Sequence, residues 1–194
     1  MRRLLFLLEA ALILTGIGAA AYCVYVWMDS RVAQDQALRE LSEIPQRKPS
    51  PDRAAKRKAP TPPPPEGSPV GEILIPSLDI SVAILEGTQP DTLRRAVGHV
   101  AGTPQPGEKG NICLAGHRDT FFRPLRKIAP GDEVDIKFPG GTSRYRVEQT
   151  ETVDPHDLQV LDATRTNTLT LITCYPFYFI GSAPKRFIVH AKAL

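Results

Sequence analysis

The stretch Thr168–Ala191, TLTLITCYPFYFIGSAPKRFIVHA, contains two runs in which apolar residues alternate with others, as they do in β-strands. Leu169 and Leu171 share one face of the first run, and Cys174 falls on the opposite face. In the second run Arg186 falls opposite two bulky apolar residues. If the bulky residues fill the core of a folded domain, the cysteine and the arginine both point outward.

A similar pattern extends over residues 70–194, where short runs rich in Ile, Val and Leu alternate with turns of Gly, Pro and Asp. This spacing predicts an all-β domain, either a sandwich or a barrel. Two short helices are expected within it, one over Asp91–Val97 with Asp91 as its N-cap and one over Thr120–Lys127.

Charge and cysteine content exclude several classes of function. Residues 1–69 hold 10 of the 24 basic and 7 of the 21 acidic side chains, so residues 70–194 carry 14 of each and are neutral. The balanced charge of this domain argues against the basic patch by which nucleic-acid-binding proteins are usually recognised. The three cysteines, Cys23, Cys113 and Cys174, give no disulfide framework and no zinc motif, and the sequence predicts no metal and no cofactor.

The chain begins with a predicted membrane anchor. Residues 1–3, Met-Arg-Arg, precede an apolar segment over residues 4–28, which at about 1.5 Å per residue can cross a hydrocarbon layer of about 30 Å. Because the positive charges come first, the N-terminus is expected in the cytoplasm and the rest of the chain outside. A cleaved signal peptide ending near Ala19–Ala21 is the alternative, and the apolar residues beyond that site favour an uncleaved anchor.

Residues 29–69 are predicted to connect this anchor to the folded domain. Residues 29–44 have the spacing of a short juxtamembrane helix, and residues 45–69 contain nine prolines and six basic side chains. Such a composition buries no core and is typical of an extended spacer. At about 3 Å per residue it would hold the domain several nanometres from the membrane.

His117 is a third reactive side chain, because it falls on the outward face of the run NICLAGH. A cysteine attacks a carbonyl as the thiolate, a histidine can take its proton and later protonate a leaving amine, and a guanidinium can stabilise the oxyanion. Cys174, His117 and Arg186 therefore fit acyl transfer through a thioester. Each of the three residues also has an ordinary structural explanation; a lone cysteine in a strand, for example, is most often a buried core residue. Spacing alone does not decide between the catalytic and the structural explanation.

Three separate segments resemble the sortases, which are membrane-anchored cysteine transpeptidases of the bacterial surface. The run TLITC at 170–174 matches the Thr-Leu-x-Thr-Cys signature of that family. The run NICLAGHRDTFFRPLRKIAPGDEV resembles its histidine segment, and GSAPKRFIVHA resembles its arginine strand. The similarity covers about residues 70–194, and GHRDTFF together with TCYPF is most like class D sortases.

The resemblance implies a closed eight-stranded β-barrel with one or two short helices, preceded by a transmembrane helix and a Pro-rich linker. It implies that Cys174 is the nucleophile, His117 the proton shuttle and Arg186 the stabiliser of the oxyanion or the thiolate. Thr173 is expected to support them. A substrate-binding loop is expected to contain Tyr175, Pro176, Phe177 and Tyr178.

The family cleaves a C-terminal sorting signal of the Leu-Pro-x-Thr-Gly type and passes the acyl group to an amine of a peptidoglycan precursor or a pilin lysine. The implied partners are secreted proteins with such a signal, that amine acceptor, and membrane lipid around the N-terminal helix. The implied location is the bacterial cytoplasmic membrane, with the catalytic domain outside. A hydrolytic cysteine peptidase of the same fold and a catalytically silent peptide-binding β-domain remain as alternatives.

Overall fold

Eight β-strands close into a barrel in the computed structural model, which describes residues 2–43, 63–179 and 181–194. The strands are β1 (Pro69–Ile75), β2 (Ile80–Glu86), β3 (Val97–His99), β4 (Asn111–Ala115), β5 (Glu133–Phe138), β6 (Gly141–Val153), β7 (Thr168–Tyr175) and β8 (Lys185–Ala193). Their order around the barrel is β1–β2–β3–β4–β7–β8–β6–β5, and β5 pairs with β1 to close it. The closed all-β barrel predicted from the sequence is confirmed.

Strand direction decides which residues meet at the rim of the barrel. Most neighbouring strands are antiparallel, but β2 and β3 are parallel, and so are β4 and β7. The C-terminal ends of β4 and β7 therefore meet at one rim. Because β8 runs antiparallel to β7, its first residues lie at the same rim.

The apolar faces of the strands fill the barrel, as the alternation predicts. Full burial of one such side chain stabilises a fold by about 1.5–3 kcal/mol. Members of this core include Ile73, Ile84, Ile112, Leu114, Ile136, Leu169, Leu171 and Val189.

The outer face of β4 and β7 is covered as well. Cys113 and Thr170 alternate with core residues, yet they are 0% and 1% exposed. The segment 154–167 lies against this face, because Asn111 Nδ2 donates to two of its carbonyl oxygens at 3.0 and 3.2 Å. The cover ends before Cys174, which is partly exposed.

The first short helix differs from its prediction at both ends. Helix α2 spans Pro90–Arg95, with Gln89 as its N-cap. Proline favours the first helical position, since its missing N–H is not needed there. Asp91 is therefore in the first turn and not at the cap. The helix ends before Val97 because that residue begins β3.

The second short helix is narrower than predicted and is not an α-helix. Arg123–Lys127 forms a 3₁₀ helix within the expected Thr120–Lys127 segment. Pro124 lies at its start and has no N–H for the ladder of an α-helix. This helix follows the turn that contains His117.

Helix α1 is continuous over Arg2–Glu43, where the sequence predicted an anchor followed by a separate juxtamembrane helix. Large apolar side chains from Leu5 to Met28 are exposed along it. Within the described parts of the chain it is the one helix long and apolar enough, by length and composition, to cross a membrane.

The second half of α1 packs directly on the barrel. Asp29 forms ion pairs with Arg94 at 3.3 Å and with Arg95 at 3.5 Å. Gln34 accepts a hydrogen bond from the backbone N–H of Ala83 at 2.8 Å and donates one to the Arg95 carbonyl. Ala37 is 6% exposed against Ala83, so small residues allow a close approach between the helix and β2.

This contact differs from the expected extended spacing between the apolar segment and the folded domain. Most of the Pro-rich segment, residues 44–62, lies outside the described residues. The barrel nevertheless contacts Asp29, immediately after the apolar segment. The domain therefore lies beside the end of that segment and not several nanometres away.

We expect Gln34→Ala to expose the Ala83 amide, because that N–H loses its acceptor. Hydrogen exchange of the full chain in detergent should show faster exchange at Ala83 and unchanged exchange at Ile73 in the core. Gln36→Ala is the matched control, since Gln36 is exposed on the same helix. Equal protection of the Ala83 amide in both variants would contradict the docking described here.

Candidate active site

Cys174 and Arg186 face each other across two neighbouring strands. They are direct register partners in the antiparallel pair of β7 and β8. Side chains opposite each other in such a pair have Cβ atoms about 4.5–5.5 Å apart. Both residues are partly exposed, so a substrate can reach them.

His117 reaches the same rim through the parallel pair of β4 and β7. In this pair each residue of β4 is level with the residue 57 positions later, up to Ala115 and Ile172. The Gly116 N–H continues the pattern by donating to the Ile172 carbonyl at 3.1 Å. Continued past Gly116, this offset pairs His117 with Cys174, although His117 itself lies just beyond the end of β4.

The turn before His117 is fixed from two sides. Thr173, which is 2% exposed, donates its hydroxyl hydrogen to the Gly116 carbonyl at 2.7 Å. A Cβ at position 116 would lie 2.6 Å from the ring of Phe122, so this position requires glycine. The Thr173 hydroxyl therefore positions the turn that leads to His117.

Arg186 and His117 are not held by carboxylates. Arg186 Nη1 donates to the carbonyls of Ala183 at 3.3 Å and Lys185 at 3.0 Å. Among residues 2–43, 63–179 and 181–194, no carboxylate lies within 4.0 Å of its guanidinium, and no hydrogen-bond partner of the His117 ring is found. The positive charge of Arg186 is therefore available to an anionic group at the rim.

The three cysteines have different environments. Cys113 is fully buried, and burial raises its pKa to about 12, although a hydrogen bond with Thr170 acts in the opposite direction. Cys23 lies in the apolar part of α1. Cys174 is thus the cysteine that a substrate can meet at the rim.

The predicted substrate loop divides into packed and exposed residues. Tyr175, Phe177 and Phe187 form an aromatic cluster, with ring centroids 5.3–6.3 Å apart. Pro176 between them is partly buried. Tyr178 is 70% exposed, so it is the member of the predicted set most available to a ligand.

Two side chains near the site were not singled out from the sequence. Asn111 holds the segment 154–167 against β4, and a buried polar residue at the start of an apolar strand was the available signal. Arg118 Nη2 donates to the carbonyls of Phe179 at 2.6 Å and Gly181 at 3.0 Å. The contacts of Arg118 depend on the backbone conformation of a loop, and sequence periodicity does not predict that conformation.

A cleft of about 1060 Å³ lies between α1 and the barrel and ends at His117. Asp119 and Phe121 line it on the barrel side, and Trp27 and Arg31 line it on the helix side. Cys174 and Arg186 do not line it. His117, the second residue after β4, therefore also borders this cleft.

Comparison with known proteins agrees with this geometry. The profile of the Sortase domain family matches residues 73–194. The chain belongs to the sortase family. Sortase D of Bacillus subtilis (strain 168) is 34% identical to this sortase over 197 residues, covering 97% of this chain and 96% of that protein.

Solved structures of sortases share the fold. The Sortase D5 transpeptidase of Clostridium perfringens superimposes with a TM-score of 0.69 at 26% identity, covering 84% of this chain and 99% of that one. Sortase C of the same organism, solved with the C-terminal cell wall sorting motif, gives a TM-score of 0.62 at 31% identity, covering 67% of this chain and 72% of that one. Sortases are cysteine transpeptidases, and this chain is an enzyme of that type.

We expect iodoacetamide to modify Cys174 in the folded protein and to leave Cys113 unmodified. With its pKa raised to about 12, the Cys113 thiol is ionised in only about one molecule in 10⁴ at pH 8, and the thiolate becomes abundant only as the pH approaches 12. Peptide mass spectrometry of the full chain in detergent measures both sites, with Cys174→Ala as the control. Modification of folded Cys113 as fast as Cys174 would contradict the burial of that thiol.

Proposed function

We propose that this sortase cleaves a C-terminal sorting signal of the Leu-Pro-x-Thr-Gly type through a thioester on Cys174. It then transfers the acyl group to an amine of the cell envelope or to a pilin lysine. The observation that supports the proposal is the strand register, which pairs Cys174 with Arg186 and whose offset between β4 and β7, continued beyond Ala115, pairs Cys174 with His117. A C. perfringens sortase solved with a C-terminal cell wall sorting motif supports the donor class.

The first half of the reaction forms the acyl-enzyme. The Cys174 thiolate, stabilised by the Arg186 charge, attacks the Thr carbonyl carbon of the sorting signal. The carbonyl oxygen becomes an oxyanion, which the guanidinium stabilises. Collapse breaks the Thr–Gly bond, His117 gives its proton to the leaving amine, and the acyl group remains as a thioester.

The second half reverses the proton transfer. A neutral amine acceptor attacks the thioester carbonyl through its nitrogen and gives up one proton to the neutral His117 ring. Collapse of this second tetrahedral intermediate expels the Cys174 thiolate and forms the new amide. Thr173 supports both halves by fixing the turn that carries His117, through its bond to Gly116.

The donor peptide would lie along the loop that follows Cys174. Tyr178 and Phe179 are 70% and 43% exposed there and offer apolar surface to the sorting signal. Tyr175 and Phe177 support that surface from the packed side. Pro176 gives the loop a fixed backbone between them.

The N-terminal helix fits an enzyme of the bacterial cytoplasmic membrane. Residues 4–28 would cross the lipid, with residues 1–3 in the cytoplasm and the barrel outside. The contact between Asp29 and α2 would then hold the barrel close to the membrane surface. Membrane lipid and envelope-bound amines are accordingly the expected partners.

The test measures turnover of fluorescence-quenched peptides of the Leu-Pro-x-Thr type, with and without an added amine. It uses the full chain in detergent. We expect slow cleavage, stimulation by the amine and an amide product, all abolished in Cys174→Ala. Loss of acid–base help in His117→Ala and of oxyanion help in Arg186→Ala should each lower the rate at least about 10²-fold.

Other outcomes separate the remaining functions. Cleavage that ignores the amine would identify a hydrolytic peptidase. Peptide binding that survives Cys174→Ala, with no thioester in the wild type, would identify a silent binding domain. Near-normal activity in His117→Ala or Arg186→Ala would remove that residue from its role. Arg146→Ala is the matched control, because Arg146 pairs with Glu133 on the exposed faces of β5 and β6.

A further inference from the structure

We propose that Arg118 is a positioning residue that fastens the loop 176–184 beside the reactive rim and so determines the affinity for the donor peptide. The inference rests on the proposed function, since that function requires the loop to border the sorting signal. It assigns to Arg118 a role separate from that of its neighbour His117.

The contact joins two segments that are far apart in sequence. Nη2 of Arg118 donates to the carbonyls of Phe179 and Gly181 at 2.6 and 3.0 Å. Hydrogen bonds from a charged donor are stronger than those between neutral groups. One guanidinium nitrogen therefore holds the loop at two points.

The backbone of the loop is shaped to present those carbonyls. Gly181 has a φ of 94°, in the left-handed region that favours glycine. The carbonyls of Gly181 and Phe179 both accept from the same nitrogen of Arg118. Nη1 of Arg118 is buried without a partner among the described residues, so the two loop carbonyls are the only acceptors found there for its terminal nitrogens.

Aromatic contacts strengthen the same connection. The Arg118 guanidinium lies 5.9 Å from the ring centre of Phe179. Arg123 and Arg126 lie 6.0 and 5.8 Å from the ring centre of Tyr178. Cation–π contacts at such distances are favourable. The segment that follows His117 thus holds the loop that follows Cys174.

The experiment compares Arg118→Gln and Arg118→Lys with the wild type, using the full chain in detergent. Limited chymotrypsin digestion reports the loop without requiring activity, because Tyr178 and Phe179 are cleavable and exposed. We expect Arg118→Gln to be cleaved there about 10-fold faster or more, and its KM for the donor peptide to rise about 10- to 100-fold, as the loss of two charge-assisted bonds predicts. Its kcat should change less than about threefold, because the acyl-transfer groups remain in place.

Arg118→Lys should restore much of the resistance to loop cleavage and much of the low KM for the donor peptide, because one ammonium can donate to the same two carbonyls. Arg146→Gln is the matched control and should behave like the wild type. Unchanged loop cleavage in Arg118→Gln, or a loss confined to kcat, would overturn the proposal. Absence of peptide turnover in the wild type would instead overturn the proposed function, and the digestion would still decide the role of Arg118.

Discussion

The parallel register between β4 and β7 is the constraint on which the rest of the site depends. Its offset of 57 residues, continued to the rim, pairs His117 with Cys174, although many residues of chain separate the two strands. The antiparallel register of β7 and β8 then adds Arg186 from the other side. A slip of one residue in either pair would turn a reactive side chain to the opposite face. The buried Leu114 and Leu171 pair within the same ladder, so core packing and site geometry are stabilised together.

The polar contacts around the rim extend this constraint from strands to loops. Thr173 holds the Gly116 turn, Arg118 holds the loop after Cys174, and Asn111 holds the segment after β6. Each uses a side chain to satisfy a backbone carbonyl that no strand partner reaches. Such contacts position loops without closing the groove, and Cys174 stays accessible as a result. Docking of α1 through Gln34 gives the barrel a fixed place beside the apolar half of that helix.

Much of the fold could be predicted because alternation is a local property. Side chains of a strand alternate between its two faces, and this alternation alone predicts that Leu169 and Leu171 point inward and that Cys174 points outward. The alignment of His117 with Cys174 could not be derived that way, since it depends on which distant strands pair, and family resemblance was needed to expect it. The Gln34 contact with Ala83 was missed for a related reason: the spacing of residues 29–44 predicts a helix but not the surface against which it packs. Arg118 left no signal because its partners are backbone carbonyls.

Disulfide trapping tests the register most directly. In a full-length His117→Cys variant that also carries Cys23→Ser, the thiol introduced at position 117 should lie within bonding range of Cys174, since disulfides join Cα atoms about 4.4–6.8 Å apart. The account predicts rapid and nearly complete formation of that single bond under mild oxidation, detected by mass spectrometry of the linked peptides. Free thiols at both positions, or a bond from position 117 to Cys113 instead, would contradict it.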